Sequence, residues 1–121
     1  MNDTARYRLT RLADLPPAAC PCGTARRAFV DEPEQTASMH VVEITADSRT
    51  HYHRRLTEMY YVLEGEGRIE LDGDTFPLAP GVAVMIKPGC RHRAYPADRS
   101  RPLRVLNVPV PAFDPADEHF D

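Results

Sequence analysis

Four residues in this chain combine types and spacing suited to chemistry. His51 and His53 stand two apart, so on an extended segment both rings point to the same side. Glu58 follows five residues after His53, and the apolar, aromatic run Met59-Tyr60-Tyr61-Val62-Leu63 leads from it to Gly65-Glu66-Gly67. Two imidazole nitrogens and a carboxylate oxygen are a mixed donor set that suits a borderline divalent transition metal: Fe, Mn, Ni, Co or Zn. A further ligand has to come from elsewhere, and only His40, His92 and His119 remain as histidines. His92 opens a strand directly after the turn Lys87-Pro88-Gly89-Cys90-Arg91, which places its ring at the mouth of whatever the strands enclose.

The elements that must position these residues are short. The chain has 121 residues with twelve prolines and six glycines, and β-branched and aromatic runs are separated by turn residues throughout. That pattern predicts an all-β domain of about nine or ten strands in two packed sheets or a closed barrel. Strands are expected at Ala25–Val30, Met39–Thr45, Glu58–Glu64, Arg68–Leu71, Thr75–Leu78, Val82–Ile86, His92–Tyr95 and Leu103–Val110, with a short edge strand within residues 1–13. Gly65-Glu66-Gly67 reads as the turn of a hairpin joining Glu58–Glu64 to Arg68–Leu71. Asp72-Gly73 is a tight-turn signal. Leu15–Gly23, with three prolines and a glycine, reads as a loop. The tail beyond Val110 reads as extended, lying on the surface or on a neighbouring subunit.

The histidine stretch and the later turn together resemble the cupin family. The first cupin motif runs Gly, five residues, His-x-His, three or four residues, Glu, six residues, Gly. This chain matches it from His51 through Glu58 to Gly65, with Thr45 in place of the opening glycine. The second motif runs Gly, five residues, Pro-x-Gly, two residues, His, three residues, Asn. Gly81, Lys87-Pro88-Gly89 and His92 match it, with Lys87 replacing the first proline and Pro96 standing where the Asn would be. The resemblance implies a double-stranded β-helix, or jelly-roll barrel, in which His51, His53, Glu58 and His92 hold one divalent metal ion. It also implies one cupin domain over residues 1–121, its core at about 37–110 between an N-terminal extension and a proline-rich acidic tail.

Other residues are weaker candidates. Tyr60 shares the inward face of Glu58 and is a candidate catalytic group, as is His40 among Met39, Val41 and Val42. Tyr61 points the other way and is expected to pack between sheets. Arg26 and Arg27 would suit a carboxylate or phosphate on a small-molecule substrate. Cys20 and Cys22 are one residue apart, whereas a zinc knuckle favours two intervening residues.

Three cysteines, an odd number, argue against a disulfide framework, and no apolar run approaches a membrane span or a secretory signal. A cytoplasmic setting is expected. The net charge of −3, with the arginines from Arg91 to Arg104 read as a solvated edge, gives no nucleic-acid footprint. Edge strands that need cover point to a homodimer. The chemistry expected is that of a metal-dependent enzyme on a small oxygenated molecule, dioxygenase chemistry slightly ahead of isomerase or lyase chemistry. The alternative is a non-catalytic metal- or ligand-binding module.

Overall fold

The computed structural model describes residues 5–121. Nine strands follow one another: β1 Ala18–Cys20, β2 Gly23–Ala28, β3 Met39–Ile44, β4 Thr57–Glu64, β5 Gly67–Leu71, β6 Asp74–Leu78, β7 Ala83–Ile86, β8 His92–Pro96 and β9 Leu103–Val110. They form two antiparallel sheets, one in the order β1-β2-β3-β9-β4-β7 and one in the order β6-β5-β8. The only helical pieces among the described residues are single 3-10 turns at Leu12–Asp14 and Pro115–Asp117. Among the described residues no helix is long and apolar enough to cross a membrane.

Alternation builds the core. Along β4, Glu58, Tyr60 and Val62 are buried while Met59, Tyr61 and Leu63 are exposed. Along β9, Leu103, Val105, Asn107 and Pro109 turn inward. Ile44, Val62, Ile69, Leu103 and Val105 are sealed from solvent between the two sheets. The expected tight turn at Asp72-Gly73 is present: Leu71 pairs with Asp74, and both residues between them have positive φ, Asp72 at 49° and Gly73 at 90°. That is the backbone a two-residue Asp-Gly hairpin demands.

Several expectations need correction. The segment from Gly65 to Gly67 does not close a hairpin. β4 pairs with β7 and β9, β5 pairs with β6 and β8, and the chain changes sheets between them. Gly67 is required at the crossing because a Cβ there would collide with the carbonyl oxygen of Tyr95. The stretch Leu15–Gly23 is not all loop. Ala18–Cys20 carries no proline and pairs with β2 at the sheet edge, and Pro21 sits in the turn, where its missing N–H costs nothing. No strand forms in residues 5–11, and Met1 to Thr4 lie outside the described residues. Tyr61 faces outward at 47% exposure instead of packing between sheets.

The tail returns to its own barrel. Tyr52 and His119 exchange backbone hydrogen bonds at 3.0 and 2.9 Å, and Ala112 N–H donates to the Gln35 carbonyl. Arg91 holds Asp121 through two hydrogen bonds of 2.9 Å. The other arginines of that region face acids too: Arg93 with Glu70, Arg99 with Asp47, Arg101 with Asp98 and Arg104 with Glu64.

Candidate metal centre

His51, Tyr52 and His53 form an extended stub. His51 bridges to His92 at the start of β8 by two backbone hydrogen bonds, 3.2 and 2.9 Å. Gly89 N–H donates to the His53 carbonyl at 2.6 Å, which ties the turn before β8 to the same stub. These contacts bring three rings together: the ring centres of His51 and His92 are 4.3 Å apart, and that of His53 lies 5.2 and 5.5 Å from them. All three histidines and Glu58 are at most 4% exposed.

Each ring is oriented by its Nδ1. His51 Nδ1 lies 3.0 Å from the Arg49 carbonyl, His53 Nδ1 2.8 Å from that of Asp117, and His92 Nδ1 3.0 Å from that of Cys90. A carbonyl oxygen only accepts, so each Nδ1 donates and each neutral ring leaves a bare lone pair on Nε2. One ligand atom from each ring lies within 4.8 Å of the other two.

His53 Nε2 is 3.1 Å from Glu58 Oε1, and His92 Nε2 is 3.3 Å from Oε2. Yet His53 Nε2, His92 Nε2 and Glu58 Oε2 have no hydrogen-bond partner. Acceptors packed this closely without protons between them repel. Each unsatisfied buried polar atom costs on the order of 1–3 kcal/mol. A cation among them removes that cost, and neighbouring ligands in a shell with bonds of about 2.1 Å stand roughly 3 Å apart. The donor set therefore fits a divalent metal, His51, His53 and His92 forming its core and Glu58 contacting two of them.

The charges agree. Burial pushes His51 down to about 4, assisted by His92, so it is neutral and available as a ligand at pH 7. Burial alone would raise the Glu58 carboxyl, but the adjacent His53 and His92 hold it below the ordinary range. The same carboxylate outweighs burial at His53 and raises its pKa.

Around this cluster runs a row of polar side chains on the inner face of the large sheet. Arg27 pairs across strands with His40, His40 with Asn107, and Asn107 with Tyr60. Asn107 Nδ2 donates to Glu58 Oε1 at 3.4 Å, and its Oδ1 is buried without a partner. Tyr60 keeps its proton, because burial and then the Glu58 charge push its phenol well above the usual value. The Arg27 guanidinium lies 4.2 Å over the Phe113 ring, and its Nε is buried without a partner. Arg26, expected beside it, faces the opposite way. Strand alternation turns it outward, and its guanidinium donates to the carbonyls of Ala13 and Leu15. His40 is a satisfied histidine: its Nε2 shares a hydrogen bond of 2.9 Å with Ser38 Oγ, which also accepts from Phe113 N–H. Burial lowers His40 to about 4.

Three further residues belong to the site. Asn107 was legible as the single polar side chain among the inward positions of Leu103–Val110. Asp117 orients His53 through its carbonyl, and its carboxylate accepts from the N–H groups of Arg54, Arg55 and Leu56 at 2.9, 3.1 and 3.2 Å. Glu118 is half-buried, and burial raises its carboxyl against the pull of Arg27 and His53. Nothing in the local sequence marks Asp117, because the groups it binds lie some 60 positions earlier.

Comparison with known proteins agrees with this layout. The Cupin domain family matches residues 38–109. An L-ectoine synthase of Aliivibrio fischeri is 33% identical over 86 residues, covering 68% of this chain and 67% of the relative. A protein of known structure from Planctomyces limnophilus is 39% identical, with a TM-score of 0.86 over 96% of this chain and 98% of its own. The nucleoside dehydratase Pac13 is 18% identical, with a TM-score of 0.76 over 96% and 92% of the two chains, a likeness of fold alone. Both cupin motifs fall inside the matched span, and their histidines meet in the barrel: the chain belongs to the cupin family.

Proposed function

We propose that this chain is a metal-dependent cupin enzyme that moves protons on a small polar molecule, with water elimination or a related lyase step as its reaction. The observation that carries this reading is the set of three Nδ1-anchored histidines whose Nε2 atoms converge beside Glu58 without hydrogen-bond partners. His51, His53, Glu58 and His92 would hold the ion, which when bound supplies Lewis-acid polarisation of a substrate oxygen. The choice among Fe, Mn, Ni, Co and Zn rests on availability more than on these donors.

The chain's own groups divide the remaining work. Glu118, its carboxyl raised by burial, is the proton acceptor. Tyr60 stays protonated and donates a hydrogen bond to a substrate oxygen. Asn107 Oδ1 offers a free acceptor, and Arg27 anchors an anionic end of the substrate. The relatives whose names state an activity are synthases, which supports an enzyme of non-oxidative chemistry and lends nothing to dioxygenase chemistry. We also read the chain as a single domain, as a homodimer through the exposed face of the large sheet, and as cytoplasmic, in keeping with its three free thiols.

A second reading, a non-catalytic ligand-binding module, is favoured by one observation. Neither first-choice acid–base residue is a ready base: Ser38 occupies His40 Nε2, and Tyr60 is held neutral.

One experiment separates the readings. The protein is loaded in turn with each of the five metals and offered hydroxy acids, hydroxy ketones and hydroxy aldehydes, while water loss and dissolved oxygen are followed. Metal-dependent elimination without oxygen uptake is expected. Substrate-coupled oxygen consumption would restore the dioxygenase, and stoichiometric metal with no turnover would leave the binding module.

A further inference from the structure

The β1–β2 hairpin carries a feature that the metal centre does not use. Cys20 ends β1, Gly23 opens β2 opposite it, and Pro21-Cys22 is the two-residue turn between them. This turn folds the two thiols together, with Cys20 Sγ 3.4 Å from Cys22 Sγ. Both residues are half-buried, and a shallow cavity of about 450 Å³ opens beside Cys20, lined also by Ala19, Thr45, Asp47 and Arg49. The third cysteine, Cys90, stands apart in the turn before β8, its nearest sulfur contact being the Arg91 carbonyl at 3.7 Å.

We propose that Cys20 and Cys22 form a dithiol–disulfide site that exchanges with low-molecular-weight disulfides. A structural metal is a poorer account of the pair. Two sulfurs give half of a tetrahedral shell, and among the described residues the only cluster of three or more metal-ligating groups is that of the histidines. Simple core filling does not explain why two thiols share one turn in mutual contact. Closing the bond requires the sulfurs to move from 3.4 Å to about 2.05 Å, a small shift for side chains already in contact.

The two thiols differ in chemistry. Contact with Cys22 holds Cys20 down to about 7, against the effect of burial and with help from the Arg27 charge. The same contact, and then burial, push Cys22 up. Cys20 is thus the attacking sulfur and Cys22 the resolving one. The Cys20 thiolate attacks one sulfur of the incoming disulfide, forming a mixed disulfide and releasing one thiolate. Cys22 then gives up its proton and attacks Cys20 Sγ, releasing the second. The protein dithiol loses two electrons and two protons, and the small disulfide becomes two thiols.

The test equilibrates the whole chain with glutathione and glutathione disulfide over a range of ratios. Acid-quenched samples are then followed by thiol titration, intact mass and peptide mapping. The expected result is loss of two thiols per chain with no retained glutathione, an internal Cys20–Cys22 cross-link, and full reversal by dithiothreitol. Cys90→Ser should behave as the parent does. Cys22→Ser should stop at a stable glutathione adduct on Cys20, and Cys20→Ser should react about tenfold more slowly or less. Glutathione retained on the parent chain, cross-links between chains, or two unreacted thiols at the most oxidising ratio would each overturn the proposal. The parent measurement decides the matter without any variant.

Discussion

At the scale of single residues, the site is a set of imidazoles with one nitrogen spoken for and one bare. Replacing His51, His53 or His92 with Ala removes a ligand and should lower metal affinity by at least about 100-fold in competition with a chelating dye. Unchanged stoichiometry in all three variants would remove the metal reading. Glu118→Gln is expected to keep the metal and lower kcat by about 10²-fold or more. His40 permits a cleaner test through pH, since it lies outside the ligand set. Its folded pKa is about 4 against an ordinary 6.5. Between these values the unfolded chain binds a proton there and the folded chain does not, so stability falls as pH drops from 6.5 towards 4. The loss is at most about 3 kcal/mol. Thermal unfolding at pH 7 and 4.5 should show a smaller difference in His40→Gln than in the parent, and equal slopes would assign the pH dependence to other groups. The candidate ligands were legible because two short stretches hold them at fixed spacing. The satisfaction of His40 by Ser38 was not, because the Ser38 hydroxyl is held in place by the Phe113 N–H, 75 residues further along the chain.

At the scale of elements, the segment Pro111–Asp121 does more than its composition suggests. Its prolines and acids read as a surface strap, yet Asp117 is buried at 5% exposure and takes three backbone N–H groups from the loop between His53 and β4. Asp117→Ala leaves those donors unpaired and should destabilise the protein by about 3 kcal/mol. Asp117→Asn retains an acceptor and should cost less. Both variants should shift metal affinity less than a ligand replacement does, since His53 binds the backbone carbonyl and not the side chain. Denaturant titration with and without metal checks the order. Alternation of β-branched and polar residues located most strands within a residue or two. It could not tell that β4 and β5 lie in different sheets, because a hairpin and a crossing both ask for glycine. That choice is made by contacts with Tyr95 and Leu103, distant in sequence.

At the scale of the whole molecule, the outer face of the large sheet is apolar in two rows. Met85, Met59 and Val108 are aligned across β7, β4 and β9, and Ala83, Tyr61, Leu106 and Val41 form the next row across to β3. Met59, Tyr61 and Met85 are 40, 47 and 60% exposed. A contiguous apolar patch on a folded chain marks an interaction surface. Sedimentation at micromolar concentration should give a dimer, and Tyr61→Glu with Met85→Lys should give a monomer. A monomeric parent would end the homodimer reading. The sequence pointed to self-association through sheet edges, with the tail on the surface or on a neighbouring subunit; the tail's return to its own barrel moves the expectation to the sheet face. That return has a consequence for how the protein matures. His53 is aimed by a carbonyl 64 residues further along the chain. A nascent chain that has made every ligand therefore still lacks an aligned set until Asp117 has been added and folded back. Metal capture would then wait on Asp117, and fragments that stop short of it are expected to compete poorly for scarce ions.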